Sequence, residues 1–141
     1  MAISCQPRPA TEAANPAARS TRVAPDAQLR ETRWVPRQIG SKVITVPANT
    51  REPFLLLRAD GTAEGNGSCN RFRGNFFTET PGALQFSPLT STRMACPTLA
   101  TEEEFNRALA QSQTYRISGD TLRLFDATNA PLARLEAVYL R

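Results

Sequence analysis

The chain reads as a β-rich α+β domain: a curled antiparallel sheet or half-open β-barrel of about seven to eight strands, with one short covering helix. Three observations predict this. Short apolar segments alternate with turn residues at a spacing of about 8–12 residues from Leu29 onward. One acidic amphipathic stretch breaks that rhythm near Thr101, and hairpin patterns resume after it.

The elements follow in order. Arg33 to Ile39 places Trp34 early in a strand that Pro36 marks as bulged or edge-lying. Lys42 to Val46 is β-branched and pairs back across Gly40-Ser41. Phe54-Leu55-Leu56-Leu57 is apolar without alternation, the pattern of a strand buried on both faces, and Asp60-Gly61 turns it into Thr62 to Gly65. Asn70 to Phe77 and Ala83 to Phe86 continue the series. Thr101-Glu102-Glu103-Glu104 has the form of a capping box, its three glutamates forming a solvated first turn, with Phe105, Ala108 and Leu109 on one helix face. Tyr115 to Ile117 and Leu122 to Leu124 form a hairpin about Gly119-Asp120. Thr128-Asn129 then turns the chain into a last strand, Leu132 to Leu140. Core candidates include Trp34, Val43, Phe54, Leu56, Phe72, Phe76, Phe105, Leu109, Leu124 and Leu135.

The 141 residues divide into a Pro/Ala-rich leader, 1–28, and one globular domain, 29–141. The leader has almost no large apolar side chain with which to offset chain entropy by burial. The net charge is +4, and the arginines are scattered along the chain, so the pattern is a mildly basic surface rather than a nucleic-acid stripe. No stretch approaches the roughly 18 consecutive apolar residues of a membrane-crossing helix. The chain has no histidine, which removes the commonest general base near neutral pH and the commonest nitrogen ligand for transition metals.

One set of motifs is specific in combination. Trp34, Asp60-Gly61, Cys69-Asn70-Arg71, Gly74-Asn75-Phe76, Ser91-Thr92-Arg93-Met94-Ala95-Cys96, the acidic helix with Phe105 and Leu109, and Leu122-Arg123-Leu124 follow one another from Leu29 to the end. Together they resemble the META (HslJ-like) domain family. The resemblance implies a non-catalytic accessory protein of the bacterial envelope, linked to stress or secretion. It also implies a location on the periplasmic side, in some members through an outer-membrane lipoprotein anchor. One departure is Ser68 in place of glycine before Cys69. If that position needs a positive φ, serine strains it by about 1 kcal/mol, and the turn is expected to shift toward Gly67.

The cysteines leave three readings open. Cys69 and Cys96 form a disulfide if the chain is exported, pack as two buried thiols, or act as a reactive or metal-binding pair. Neither lies in a Cys-x-x-Cys spacing, so a metal is not expected. Cys5, behind Ala2-Ile3-Ser4, looks like the processed start of a lipoprotein and is a lipidation candidate, the alternative being an exposed thiol in the tail.

Two further patterns have plainer explanations. Arg71-Phe72-Arg73 followed by Phe76-Phe77 resembles the basic-aromatic strand of single-stranded RNA readers, but alternate aromatics filling a β-core account for it. Thr90, Ser91 and Thr92 have no histidine or lysine in the motif to take a proton, so no catalytic residue and no cofactor is expected. Asn66, Asn70, Arg71, Arg73, Thr92 and Arg93 form the candidate contact surface, because arginine and asparagine read carboxylates and backbone groups. Its expected partner is an envelope protein or cell-wall component met by a monomer. The alternatives are a turn satisfied internally by Asn70 and Thr92, a carrier with an apolar barrel cavity, and a thiol-dependent enzyme.

Overall fold

The computed structural model describes residues 25–47 and 50–139. Cys5 and the leader arginines Arg8, Arg19 and Arg22 lie outside them.

Among the described residues ten strands and one helix follow one another: β1 (Arg33–Ile39), β2 (Lys42–Val43), β3 (Phe54–Leu57), β4 (Thr62–Asn66), β5 (Arg71–Phe77), β6 (Gln85–Phe86), β7 (Thr90–Ser91), α1 (Leu99–Gln111), β8 (Thr114–Ser118), β9 (Thr121–Phe125) and β10 (Pro131–Val138). All pairings are antiparallel, in the order β6-β5-β4-β3-β1-β10-β9-β8, with β2 beside β1 and β7 beside β5. The sheet curls but does not close. Its two ends meet at one isolated bridge, Ala83 to Thr114, flanked by Leu84 N–H donating to Gln113 O and Tyr115 N–H to Gly82 O. A closed barrel is therefore not formed; the half-open sheet is.

The concave side is filled rather than hollow. Trp34, Leu55, Leu57, Leu84, Leu122, Leu124 and Leu135 are fully buried there. Phe105, Ala108 and Leu109 enter from α1, spaced so that one helix face meets the sheet. Burial of a side chain such as Phe105 contributes about 1.5–3 kcal/mol, and its ring meets Phe72 edge-on at 5.9 Å between centroids.

Several expectations change in detail. In β3 the strand alternates after all: Leu55 and Leu57 point into the core, while Phe54 and Leu56 are half-exposed on the outer face, where Arg33 stacks over Phe54 at 4.1 Å. The expectation of burial on both faces, with Phe54 and Leu56 in the core, is thus corrected: four consecutive apolar residues carry no period, and the outer face is covered only in part. Val43 is 65% exposed, because β2 is only a two-residue extension of the β1 hairpin. The strand is bulged at Arg37, next to Pro36, and is not an edge strand. β1 pairs with β3 through residues 33–34 and with β2 through 38–39, and Pro36 occupies the gap between them, opposite a register shift against β10. A missing N–H is cheap at such a position.

At its start the domain reaches slightly beyond Leu29. Ala27 N–H donates to Gly119 O, Gly119 N–H donates to the Asp26 carboxylate, and Trp34 Nε1 donates to Leu29 O at 3.0 Å. Residues 26–28 thus belong to the folded unit.

Carboxylates hold several of the turns. Asp60 accepts from Thr62 N–H, Asp126 from Ala130 and Thr128 N–H, and Glu31, itself at φ +59°, from Ala59 N–H and Arg58. Backbone hydrogen bonds hold all three carboxyl groups below their ordinary pKa range. A depressed folded pKa means that the stabilisation is present above the unfolded value and is lost as pH falls through the folded one. The thermal midpoint is therefore expected to decline as pH drops below about 4. A D60N/D126N variant should show a shallower decline, measurable by circular dichroism melts across pH.

Candidate functional site: a stapled corner beside an arginine face

The corner is built where the β4–β5 turn, the segment after β7 and the first turn of α1 converge. A disulfide joins Cys69 in the turn to Cys96 ahead of the helix, with Cα atoms 6.3 Å apart. That link brings the start of α1 against the turn and sets the position of Glu102.

Glu102 is the central residue, and its role was not foreseen. Instead of lying in a solvated first turn, its side chain is buried, 3% exposed, and aimed back at the β4–β5 turn. Its carboxylate accepts from Asn70 N–H at 2.7 Å, Asn70 Nδ2 at 2.6 Å and Cys69 N–H at 3.3 Å. Gly67 makes the approach possible, since a Cβ there would collide with Glu102 Cγ. The helix begins at Leu99 after Thr98, so Thr101 lies inside the first turn and no capping box forms. The Thr98 hydroxyl bonds the Ser68 hydroxyl instead, and Glu104 pairs outward with Lys42 at 3.0 Å.

Asn70 completes the lock. Its Nδ2 donates to Met94 O as well as to Glu102, and its Oδ1 accepts from Met94 N–H at 2.7 Å and the Thr92 hydroxyl at 2.9 Å. Arg71 N–H donates back to Thr92 Oγ1. Asn66 Oδ1 accepts from Ser68 N–H. Asn66 and Asn70 are 3% and 2% exposed, so neither belongs to a contact surface; both are consumed in holding the turn. Arg71, Arg73, Thr92 and Arg93 do lie exposed around it.

Ser68 itself adopts φ +92°, while Gly67 keeps a negative φ, so the turn has not shifted to accommodate the substitution. The strain of about 1 kcal/mol is offset by a hydroxyl bond of comparable worth. Replacing Ser68 with alanine should cost about 1 kcal/mol, whereas S68G should stay within about 0.5 kcal/mol of the parent because relief of φ offsets the lost bond. Urea unfolding of the two variants checks this.

Two depressions flank β7. One, of about 530 Å³, opens over β4, β5 and β7 and is lined by Phe54, Arg71, Arg73 and Thr90. The other, of about 630 Å³, lies between β7 and α1 and is lined by Leu89, Arg93, Met94, Asn106 and Arg107. Arg71, Arg73, Arg93 and Arg107 make no ion pair among the described residues, unlike Arg33, Arg37, Arg58 and Arg134. Asn106 Oδ1 is buried and unpartnered. The sequence singled out the first three arginines; Asn106 and Arg107 became relevant only when α1 was placed beside β7.

The fold and the corner define a class: a small half-open antiparallel sheet filled by one helix and stapled between its β4–β5 turn and the helix start. The META domain family model matches residues 27–139, and the chain belongs to that family. Among solved structures, a protein from Burkholderia xenovorans determined by NMR is 25% identical, with a TM-score of 0.63 over 87% of this chain and 97% of that one. A second NMR structure is 22% identical, with a TM-score of 0.60 over 77% and 90% of the two chains. A DUF4847 family protein from Bacteroides vulgatus shares the fold at 16% identity, with a TM-score of 0.51 over 63% of this chain and 61% of that one. No curated protein matches this chain.

Proposed function

We propose that the protein is an exported accessory protein of the bacterial envelope, linked to stress, which works by binding rather than by catalysis. Its tool is the exposed face of Arg71, Arg73, Thr92 and Arg93, which contacts an anionic protein or cell-wall component. The observation that carries this reading is the pairing of a rigid corner with unpaired cations: Glu102 and Asn70 lock the backbone, while three neighbouring guanidiniums remain exposed. Guanidiniums recognise carboxylates and phosphates, and a fixed backbone leaves only the side chains to be ordered on binding. A disulfide between Cys69 and Cys96 suits an oxidising compartment, which supports export to the periplasmic side. Attachment to the outer membrane through Cys5 belongs to the same reading, and mass spectrometry of the native amino terminus tests it.

The contact itself is tested by in-cell crosslinking. The parent protein should give a discrete crosslinked product in intact envelopes, and an R71E/R73E/R93E variant with an unchanged circular dichroism spectrum should lose it. Retention of the product by that variant would sink the reading, as would finding Cys69 and Cys96 reduced in freshly trapped cells.

A further inference from the structure

The arginine face surrounds an open sheet edge. In an antiparallel ladder, hydrogen-bonded and unbonded residue pairs alternate. Thr92 N–H donates to Arg71 O at 3.1 Å, so residues 71 and 92 are a bonded pair, and Phe72 and Ser91, next in register, are an unbonded one. The peptide groups of Ser91 therefore point away from β5. The alternation runs on, for Met94 N–H is turned inward to Asn70 Oδ1, leaving Arg93 facing outward like Ser91. Among the described residues β7 has no strand on that side.

A strand laid along this edge would meet cations on both of its faces. Arg71 and Arg73 project on the outer face beside Thr90 and Thr92. Arg93 and Arg107 border the cleft on the helix side, where Glu103 supplies a single free carboxylate, Glu102 being engaged with the turn. Met94, 57% exposed, gives that cleft an apolar lip. An open edge and a surplus of guanidiniums on either side suit the same guest.

We infer that the edge from Ser91 to Arg93 takes an extended acidic segment of a partner polypeptide by strand addition, its backbone pairing with β7 and its carboxylates meeting the four guanidiniums. The inference rests on the contact reading above and names the partner's chemistry.

The test uses the intact protein and a fluorescein-labelled heptapeptide of sequence Asp-Asp-Val-Asp-Asp-Val-Asp, which carries carboxylates on both faces of an extended strand, with a second copy N-methylated at every amide so that neither edge can pair. Fluorescence anisotropy should show binding that weakens with salt. The N-methylated copy should bind about tenfold more weakly or worse, having lost its backbone bonds. In a nitrogen-proton NMR titration the amides of residues 91 and 93 should shift, and R93E/R107E should weaken binding about tenfold. Equal affinity for the two peptides, or no shift at residues 91 and 93 with millimolar peptide, overturns the inference. If either result is accompanied by a crosslink that R71E/R73E/R93E abolishes, strand addition falls while the contact reading stands.

Discussion

Replacing Glu102 with alanine is expected to destabilise the domain by about 3 kcal/mol or more, the largest effect of any single polar substitution here. The carboxylate serves two backbone N–H groups and the Asn70 amide in a site 3% exposed, so its removal leaves buried donors unsatisfied and a void beside Gly67. Glutamine is the informative comparison. It keeps one acceptor oxygen but turns an NH₂ group toward the Asn70 amide or the turn N–H groups, so E102Q should still lose about 1–3 kcal/mol. Urea unfolding measures both, and hydrogen exchange at the amides of residues 69, 70 and 94 should accelerate ahead of the core. A loss under 1 kcal/mol for E102A would show that the turn holds itself without the helix.

Breaking the disulfide should cost about 3.5 kcal/mol in the chain-entropy model, the value for a loop closed across a sequence separation of 27. The C69S/C96S double variant and the reduced parent should show similar drops in the urea midpoint. The two sets of constraints also couple. With the staple cut, Glu102 must itself bring the helix start to the turn, so the E102A penalty measured in the C69S/C96S background should differ from that in the parent by more than simple additivity permits. Full additivity would mean that staple and carboxylate act on separate structures.

Much of this architecture was legible in the sequence because its signals are local. Asp60-Gly61 and Gly119-Asp120 mark hairpins through backbone requirements that few residues meet, and Gly61 and Gly119 do adopt φ of +94° and +61°. Phe105, Ala108 and Leu109 mark a helix face through spacing alone. The corner was half legible. The departure from glycine at Ser68 marks a position that strains if it needs a positive φ; the expected shift toward Gly67 does not occur, and Ser68 itself takes φ +92°. Glu102 was misjudged because a glutamate in a first helical turn has an adequate local explanation in the helix dipole. Its burial depends on a contact 32 residues away. The signal was present in combination: if Cys96 meets Cys69, a carboxylate six residues after Cys96 is carried to the N–H groups of the same turn. Asn66 and Asn70 were misplaced for the complementary reason, since polar residues in a glycine-rich turn look exposed until the elements that cover them are assembled. Phe54 and Leu56 show a different limit, because an unbroken apolar run does not say which face is inward.

The pairing of β1 with β10 sets the order in which the molecule can be finished. Trp34 lies opposite Ala137, about a hundred residues later in the chain, and the ladder between these strands joins the two halves of the sheet. During synthesis the amino-terminal strands have no complete sheet to enter until the final segment emerges, and such long-range closure folds slowly. Until β10 docks, β1 and β9 each lack a neighbour, so this one strand decides when the two halves become a single sheet.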